Sequence, residues 1–241
     1  MFETILYVPW IAALVSYCIA YFWKQPLLSF AGSLLAIFLL TLIELSDYGQ
    51  DFDPVQAVLD SQFWLATHVM MVVGSYGLFA LGAIIAHFYL GSIAIYKKEI
   101  PSLIPPIVQA LYSGTFLLIT GTILGGIWAA QSWGRFWDWD PKESWACISS
   151  CTYLLFIHAY RFHHIGPFGL ALGAIIGMFA ISFTWYGVNY ILGTGLHSYG
   201  FGSGGETYYY AFLLLEIGFL SLAWIRFKFS SKTLTHFEKH K

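Results

Sequence analysis

The chain has 241 residues, 58% of them hydrophobic and 20% aromatic, and only 10% charged, against roughly 25% in an average soluble domain. Its mean hydropathy is +0.68 and its formal net charge −2. These values exclude a soluble globule with one core and a basic surface for nucleic acid, and they point to a polytopic membrane protein.

Seven apolar stretches follow in chain order, at about 5–23, 27–45, 64–96, 106–128, 144–162, 168–190 and 208–227. Each is long enough to cross ~30 Å of hydrocarbon as helix. The expected fold is therefore an all-α membrane bundle of about seven transmembrane helices, one integral membrane domain over residues 1–241. The first stretch has no basic segment and no small-residue cleavage site before it, so it reads as a retained span and not as a signal peptide. Lys24, Gln25 and Pro26 end it. Residues 46–60 are acidic and polar. The third stretch exceeds the required length and is expected to tilt or to extend past the membrane. Three prolines fall within 97–106, and 193–205 is rich in Gly and Ser. Cys18, Cys147 and Cys151 all lie in apolar stretches and form no Cys-x-x-Cys pair, so they read as small packing residues.

If the spans alternate, Lys24, Lys97, Lys98, Arg161, Arg226, Lys228, Lys232, Lys239 and Lys241 share one side, and only Arg135 and Lys142 the other. Basic residues favour the cytoplasm. The expected orientation has the N-terminus outside and the C-terminus cytoplasmic, with 46–60, 133–143 and 192–207 on the outer side.

The segment between the fourth and fifth stretches, Trp133-Gly134-Arg135-Phe136-Trp137-Asp138-Trp139-Asp140-Pro141-Lys142-Glu143, suits neither a lipid-facing helix nor an ordinary loop. It admits two readings. One is an interfacial aromatic belt. The other is a cover for a large flat apolar ligand with a charged edge, such as a tetrapyrrole. Asp140 before Pro141 predicts a turn and an N-cap for the fifth helix, with Glu143 in its first turn. Arg135 suits a propionate by charge type.

Two histidines fall on the same expected side: His68 at the head of the third stretch and His197 in the Gly-rich segment. They read either as an interfacial and a solvated histidine or as a bis-histidine haem site, imidazole being a common axial ligand. His158 lies about 14 residues into its stretch, roughly 20 Å below the outer surface. It reads either as a neutral ligand within the packed bundle or as a histidine hydrogen-bonded to a neighbouring helix. His87 reads as interfacial or as a second inner ligand. His163, His164, His236 and His240 read as solvated on the cytoplasmic side. Glu216, in the last stretch, reads as a buried hydrogen-bonded acid or as a proton or propionate contact.

The run from Trp133 through Trp137, Trp139, Asp140, Pro141, Lys142, Glu143 and Ser144 to Trp145 resembles the tryptophan-rich WWD signature of haem-handling membrane proteins. Its Asp-Pro-Lys-Glu continuation is most similar to the CcsA (also called ResC) family of cytochrome c biogenesis. Phe63–Val69 around His68, and Val188–Tyr190 with Gly195–Tyr199 around His197, resemble the family's two external histidine segments. His158 falls where the family has a transmembrane histidine. The resemblance covers about 60–227, which would be the haem-handling core, with an outer tryptophan-rich loop over 128–145 and accessory spans at 1–50.

The resemblance implies a role beside a CcsB (ResB) partner. The pair would move haem b to the outer face and attach it to the Cys-x-x-Cys-His motifs of apocytochrome c. His68 and His197 would be axial ligands, Trp133, Trp137 and Trp139 would cover the haem face, and Arg135 and Asp140 would lie at its edge. His158 would be one ligand of an inner site completed by the partner. No residue is expected to act as catalytic acid or base. The membrane would be a bacterial plasma or inner membrane, or a thylakoid in a plastid. A CcmC-like delivery of haem to a chaperone is the alternative; the deep His158 and the seventh stretch argue against it. A cytochrome b subunit would need two histidine pairs across the bilayer, and His68, His87 and His158 are too few. A transporter with an aromatic gate would bind no haem.

Overall fold

A computed structural model of the chain describes residues 2–24, 26–45, 61–197 and 206–238. Every regular element among them is helical. The helices are α1 (Phe2–Trp23), α2 (Pro26–Leu45), α3 (Gln62–Tyr96), α4 (Pro101–Trp133), α5 (Pro141–Arg161), α6 (Pro167–Leu192) and α7 (Glu206–Glu238). The acidic segment 46–60, the residues 198–205 that follow His197, and the basic Lys239 and Lys241 lie outside the described residues.

Helices α3, α4 and α6, and α7 over Glu206–Phe229, are long and apolar enough to cross a membrane. α1 and α2 carry shorter apolar stretches, Leu6–Phe22 and Ser29–Thr41. α5 is more polar, but its serine and threonine hydroxyls are matched. Ser150 and Thr152 donate to carbonyls one turn back, and Ser149 bonds Thr184 of α6 at 2.9 Å. Pairing of this kind is what lets a polar helix lie in a medium without water. The protein is an integral membrane helical bundle.

α3 is the central helix and packs against α1, α2, α4, α6 and α7. Its middle, Val73–Ala83, is buried throughout. Small residues bring the neighbours close. Phe79 of α3 lies flat on Tyr153 of α5, with ring centroids 3.7 Å apart, and a methyl group at Gly114 of α4 would meet the Phe79 ring at 2.7 Å. With lipid as apolar as the helices themselves, such close approach is the main source of cohesion.

The helix ends follow local chemistry. α4 opens with a 3-10 turn, Pro101–Leu103, and carries Pro105 and Pro106 in its first turn, where a missing N–H costs nothing. It continues through Trp128 to Trp133 and stops at Gly134, whose φ of +72° is left-handed. α5 then starts at Pro141 behind its Asp140 cap. The tryptophan-rich loop expected over 128–145 is thus corrected to Gly134–Asp140, because nothing before Gly134 interrupts the helix. Two π-helical segments, Leu65–Val69 in α3 and Phe183–Leu192 in α6, lie toward the same end of the bundle as this loop. There Trp64 Nε1 of α3 donates to Gln131 Oε1 of α4 at 2.8 Å.

Candidate functional site

Glu143 anchors the loop. Its Oε2 accepts the backbone N–H groups of Asp138 at 2.9 Å and Asp140 at 3.2 Å, and its Oε1 accepts Arg135 Nη1 at 3.0 Å. Asp140 returns the cap, its Oδ1 accepting the N–H of Lys142 at 3.0 Å. This is a reciprocal capping box, and the Asp-Pro-x-Glu order specifies it locally. Arg135 also approaches Asp138 through Nε at 3.4 Å and lies over the Trp133 ring at 5.7 Å. Its remaining nitrogen, Nη2, is buried with no partner among the described residues.

Asp140 reaches across to the chain beyond α6. Its Oδ2 accepts the Leu196 N–H at 2.6 Å, and its Oδ1 accepts His197 Nδ1–H at 2.9 Å. The close approach requires Gly195, where φ is +100° and a Cβ would strike the Asp140 carboxylate. The His197 ring then stands edge-on to Trp133, centroids 5.2 Å apart. Burial pushes the Asp140 carboxyl up, but the His197 hydrogen bond and charge and the two backbone N–H groups outweigh it, holding it below its usual value. Lys142, at the head of α5, is pushed down to about 8 by burial, against the pull of Asp140. Its ammonium donates to Asn189 Oδ1 of α6 at 3.0 Å.

His68 occupies the π-helical turn of α3. Its Nδ1 lies 2.7 Å from the Gly121 carbonyl of α4, and its ring meets Trp128 edge-on at 5.9 Å. A methyl group at Gly125 would sit 2.5 Å from the ring.

His158 corrects an expectation. It is neither inside the packed bundle nor bonded to a neighbouring helix. Its Nδ1 returns to the Leu154 carbonyl of its own helix at 2.7 Å, and its side chain is exposed on the outside of α5. It borders two surface hollows of about 400 and 370 Å³, one with Cys151, Leu155 and His164, the other with Tyr112, Phe116 and Arg161. The helical register turns it away from Tyr153 and Ile157, which are buried in the core.

His87 is also placed differently from either reading. Its Nδ1 meets the Ala83 carbonyl at 2.7 Å and its Nε2 meets Glu216 Oε2 of α7 at 2.8 Å. Both nitrogens are engaged, so it is neither a solitary interfacial histidine nor an open ligand.

These contacts decide which imidazoles can bind a metal. A carbonyl or carboxylate oxygen only accepts, so Nδ1 carries the hydrogen in all four rings and the neutral ring has its lone pair on Nε2. In His68, His197 and His158, Nε2 has no partner among the described residues; in His87 it has one. His68, His197, Trp133, Arg135 and Asp140 converge at one end of the bundle. Trp137 and Trp139 pack edge-on against each other at 5.8 Å, with Trp139 71% exposed. His158 stands apart. Sequence reasoning missed Gly125, Trp128, the Lys142–Asn189 bond and the keystone role of Glu143. Only the last had a local signal, the Asp-x-x-Glu spacing before a helix.

A family model described as cytochrome C assembly protein matches residues 1–197. The protein NrfI of Wolinella succinogenes is 36% identical over 209 residues, covering 82% of this chain and 22% of that protein's length. The cytochrome c biogenesis protein CcsA of Prochlorococcus marinus is 29% identical over 239 residues, 83% of this chain and 75% of its own. That of Chlamydomonas reinhardtii is 30% identical over 159 residues, 63% of this chain and 44% of its own.

Proposed function

The chain belongs to the cytochrome C assembly protein family, and on that footing we propose that it holds haem b between His68 and His197 at the tryptophan-loop end of the bundle. There it presents the haem, as cargo, for attachment to apocytochrome c. The observation that carries this reading is the pair of open Nε2 atoms at one end, each on a ring whose Nδ1 is fixed by an acceptor. Two imidazoles oriented this way each leave Nε2 open for axial ligation.

The surroundings fit the same cargo. Trp128 and Trp133 flank the two rings. The unpartnered Nη2 of Arg135 is a buried donor suited to a propionate. Asp140 acts through His197, orienting the ring, and need not touch haem. The WWD reading of the loop is supported by the clustering of Trp133, Arg135 and Asp140 around His197.

His158 would ligate a second, inner haem. Its open Nε2 faces out of the bundle, as a ligand shared with a CcsB-like partner requires. The nine basic residues that alternating spans would put opposite the loop support an outer position for the first site.

Haem supplies the two vinyl groups, and each apocytochrome thiol adds across one, forming a C–S bond while its hydrogen goes to the other vinyl carbon. This chain contributes positioning, the largest entropic part of such a barrier. It screens one haem edge with Trp133 and holds the propionate side with Arg135.

The test is the absorption spectrum of the chain purified with its CcsB-like partner, as wild type, His68→Ala and His197→Ala. A reduced haem b spectrum weakened in both variants and restored by imidazole is expected. Identical spectra in all three would remove the external site. Haem bound and released to a chaperone without any need for the partner would favour CcmC-like delivery instead.

A further inference from the structure

α7 is held to the bundle lightly: 11% of its apolar window is buried, against 72% in α3. Aromatic contacts tie it to α6, through Phe168 with Phe227 at 4.1 Å and Tyr186 with Tyr209 at 5.1 Å. Its polar tie to α3 is the His87–Glu216 contact at 2.8 Å, with Phe219 stacked on the imidazole at 4.9 Å.

The chemistry of that contact is restrictive. His87 Nδ1 faces the Ala83 carbonyl, which accepts only, so Nδ1 carries a hydrogen. The short approach of Nε2 to Glu216 Oε2 then needs one hydrogen between them, because two lone pairs would repel. The pair is either a neutral imidazole with a carboxylic acid or an imidazolium with a carboxylate, and both are neutral overall. A second proton leaves a net positive charge and removes the acceptor. Loss of the proton leaves a bare carboxylate against a lone pair. Each change is costly among apolar helices.

Few other charges can act there. α4 and α6, which pack on α3, contain no Asp, Glu, Lys, Arg or His. α1 carries Glu3 and α2 carries Glu44, each near the end of its helix. α7 carries Glu206 at its start and Arg226, Lys228, Lys232, His236 and Glu238 beyond Glu216. The charge acting on His87 is that of Glu216.

We infer that His87 and Glu216 form a one-proton binding site in the membrane-spanning bundle, and that occupancy by this proton clasps α7 to α3. The proton belongs to the pair, not to either residue alone. It is independent of the haem reading, although α3 is also the helix that carries His68.

The test is hydrogen exchange of the α7 backbone across pH, in the full chain in lipid nanodiscs, normalised to α4. Glu216→Gln and Glu216→Leu are compared with wild type. The wild-type α7 should exchange slowly near neutrality and faster on the alkaline side. In Glu216→Gln the amide donates to Nε2 at every alkaline pH, so the alkaline rise should vanish. Glu216→Leu should exchange fast throughout. An alkaline rise shared by wild type and Glu216→Gln would overturn the inference, as would a Leu variant as protected as wild type. If the Leu variant does not fold, the first comparison still decides.

Discussion

At the scale of single residues, the site is organised by what each histidine does with Nδ1. His68, His158 and His197 all fix it, by a carbonyl of α4, a carbonyl of α5 and the Asp140 carboxylate respectively. Only the third partner carries charge, so His197 alone of the three is oriented by a carboxylate. Lys142 also feels that charge, and its burial has a measurable consequence. Its pKa falls to about 8 in the folded chain, against ~10.4 when exposed. Between those values the unfolded chain binds more protons than the folded one, so stability rises with pH through this window. Thermal melting from about pH 8 to ~10.4 should show that rise in the wild type and lose it in Lys142→Met. An identical profile in both would mean that Lys142 is solvated. Asp140 has the same sign in a lower window, because its pKa is also depressed on folding. Its stabilisation is complete above its ordinary pKa of ~3.9 and disappears as the pH falls through its lower folded value.

At the scale of elements, helix ends and glycines position the site. The loop is short because α4 persists to Gly134 and α5 starts at once behind its capping box. His68 reaches α4 because the π-helical turn swings it inward and Gly125 leaves room for its ring. Gly125→Ala should therefore displace His68 and weaken the haem spectrum about as much as His68→Ala. Gly91→Ala, where a Cβ meets nothing within 4 Å, should leave the spectrum unchanged and stabilise α3 by about 0.5–1 kcal/mol. A full spectrum in Gly125→Ala would show that the His68 geometry does not control binding. The Gly125-Gly126 pair was visible in the sequence, but its purpose was not. A glycine in a helix marks a close approach without naming the group that approaches.

At the scale of the whole molecule, the bundle leaves α5 with an exposed histidine on its outer face. Facing lipid, that side chain would be a costly exception; facing a partner helix, it would be satisfied. Diethyl pyrocarbonate labelling, read at His158 by mass spectrometry, should modify it in the isolated chain. Assembly with a CcsB-like protein should protect it, while the exposed His163 and His164 stay reactive. Equal labelling of His158 in both states would place the partner elsewhere.

Sequence alone determined the membrane character, the helical fold, the tryptophan segment with its Asp140 cap, and the candidates His68, His158 and His197. All of these rest on composition, apolar run length or neighbours within one helical turn, and such terms are local. Tertiary structure decided the rest. It showed that Asp140 holds His197 from 57 residues away in the chain. It also showed that His87 is tied to Glu216 across 129 residues, and that His158 looks outward. Those outcomes depend on which helix faces which and in what register, and side-chain packing across helices fixes that, beyond the reach of any window read along one of them.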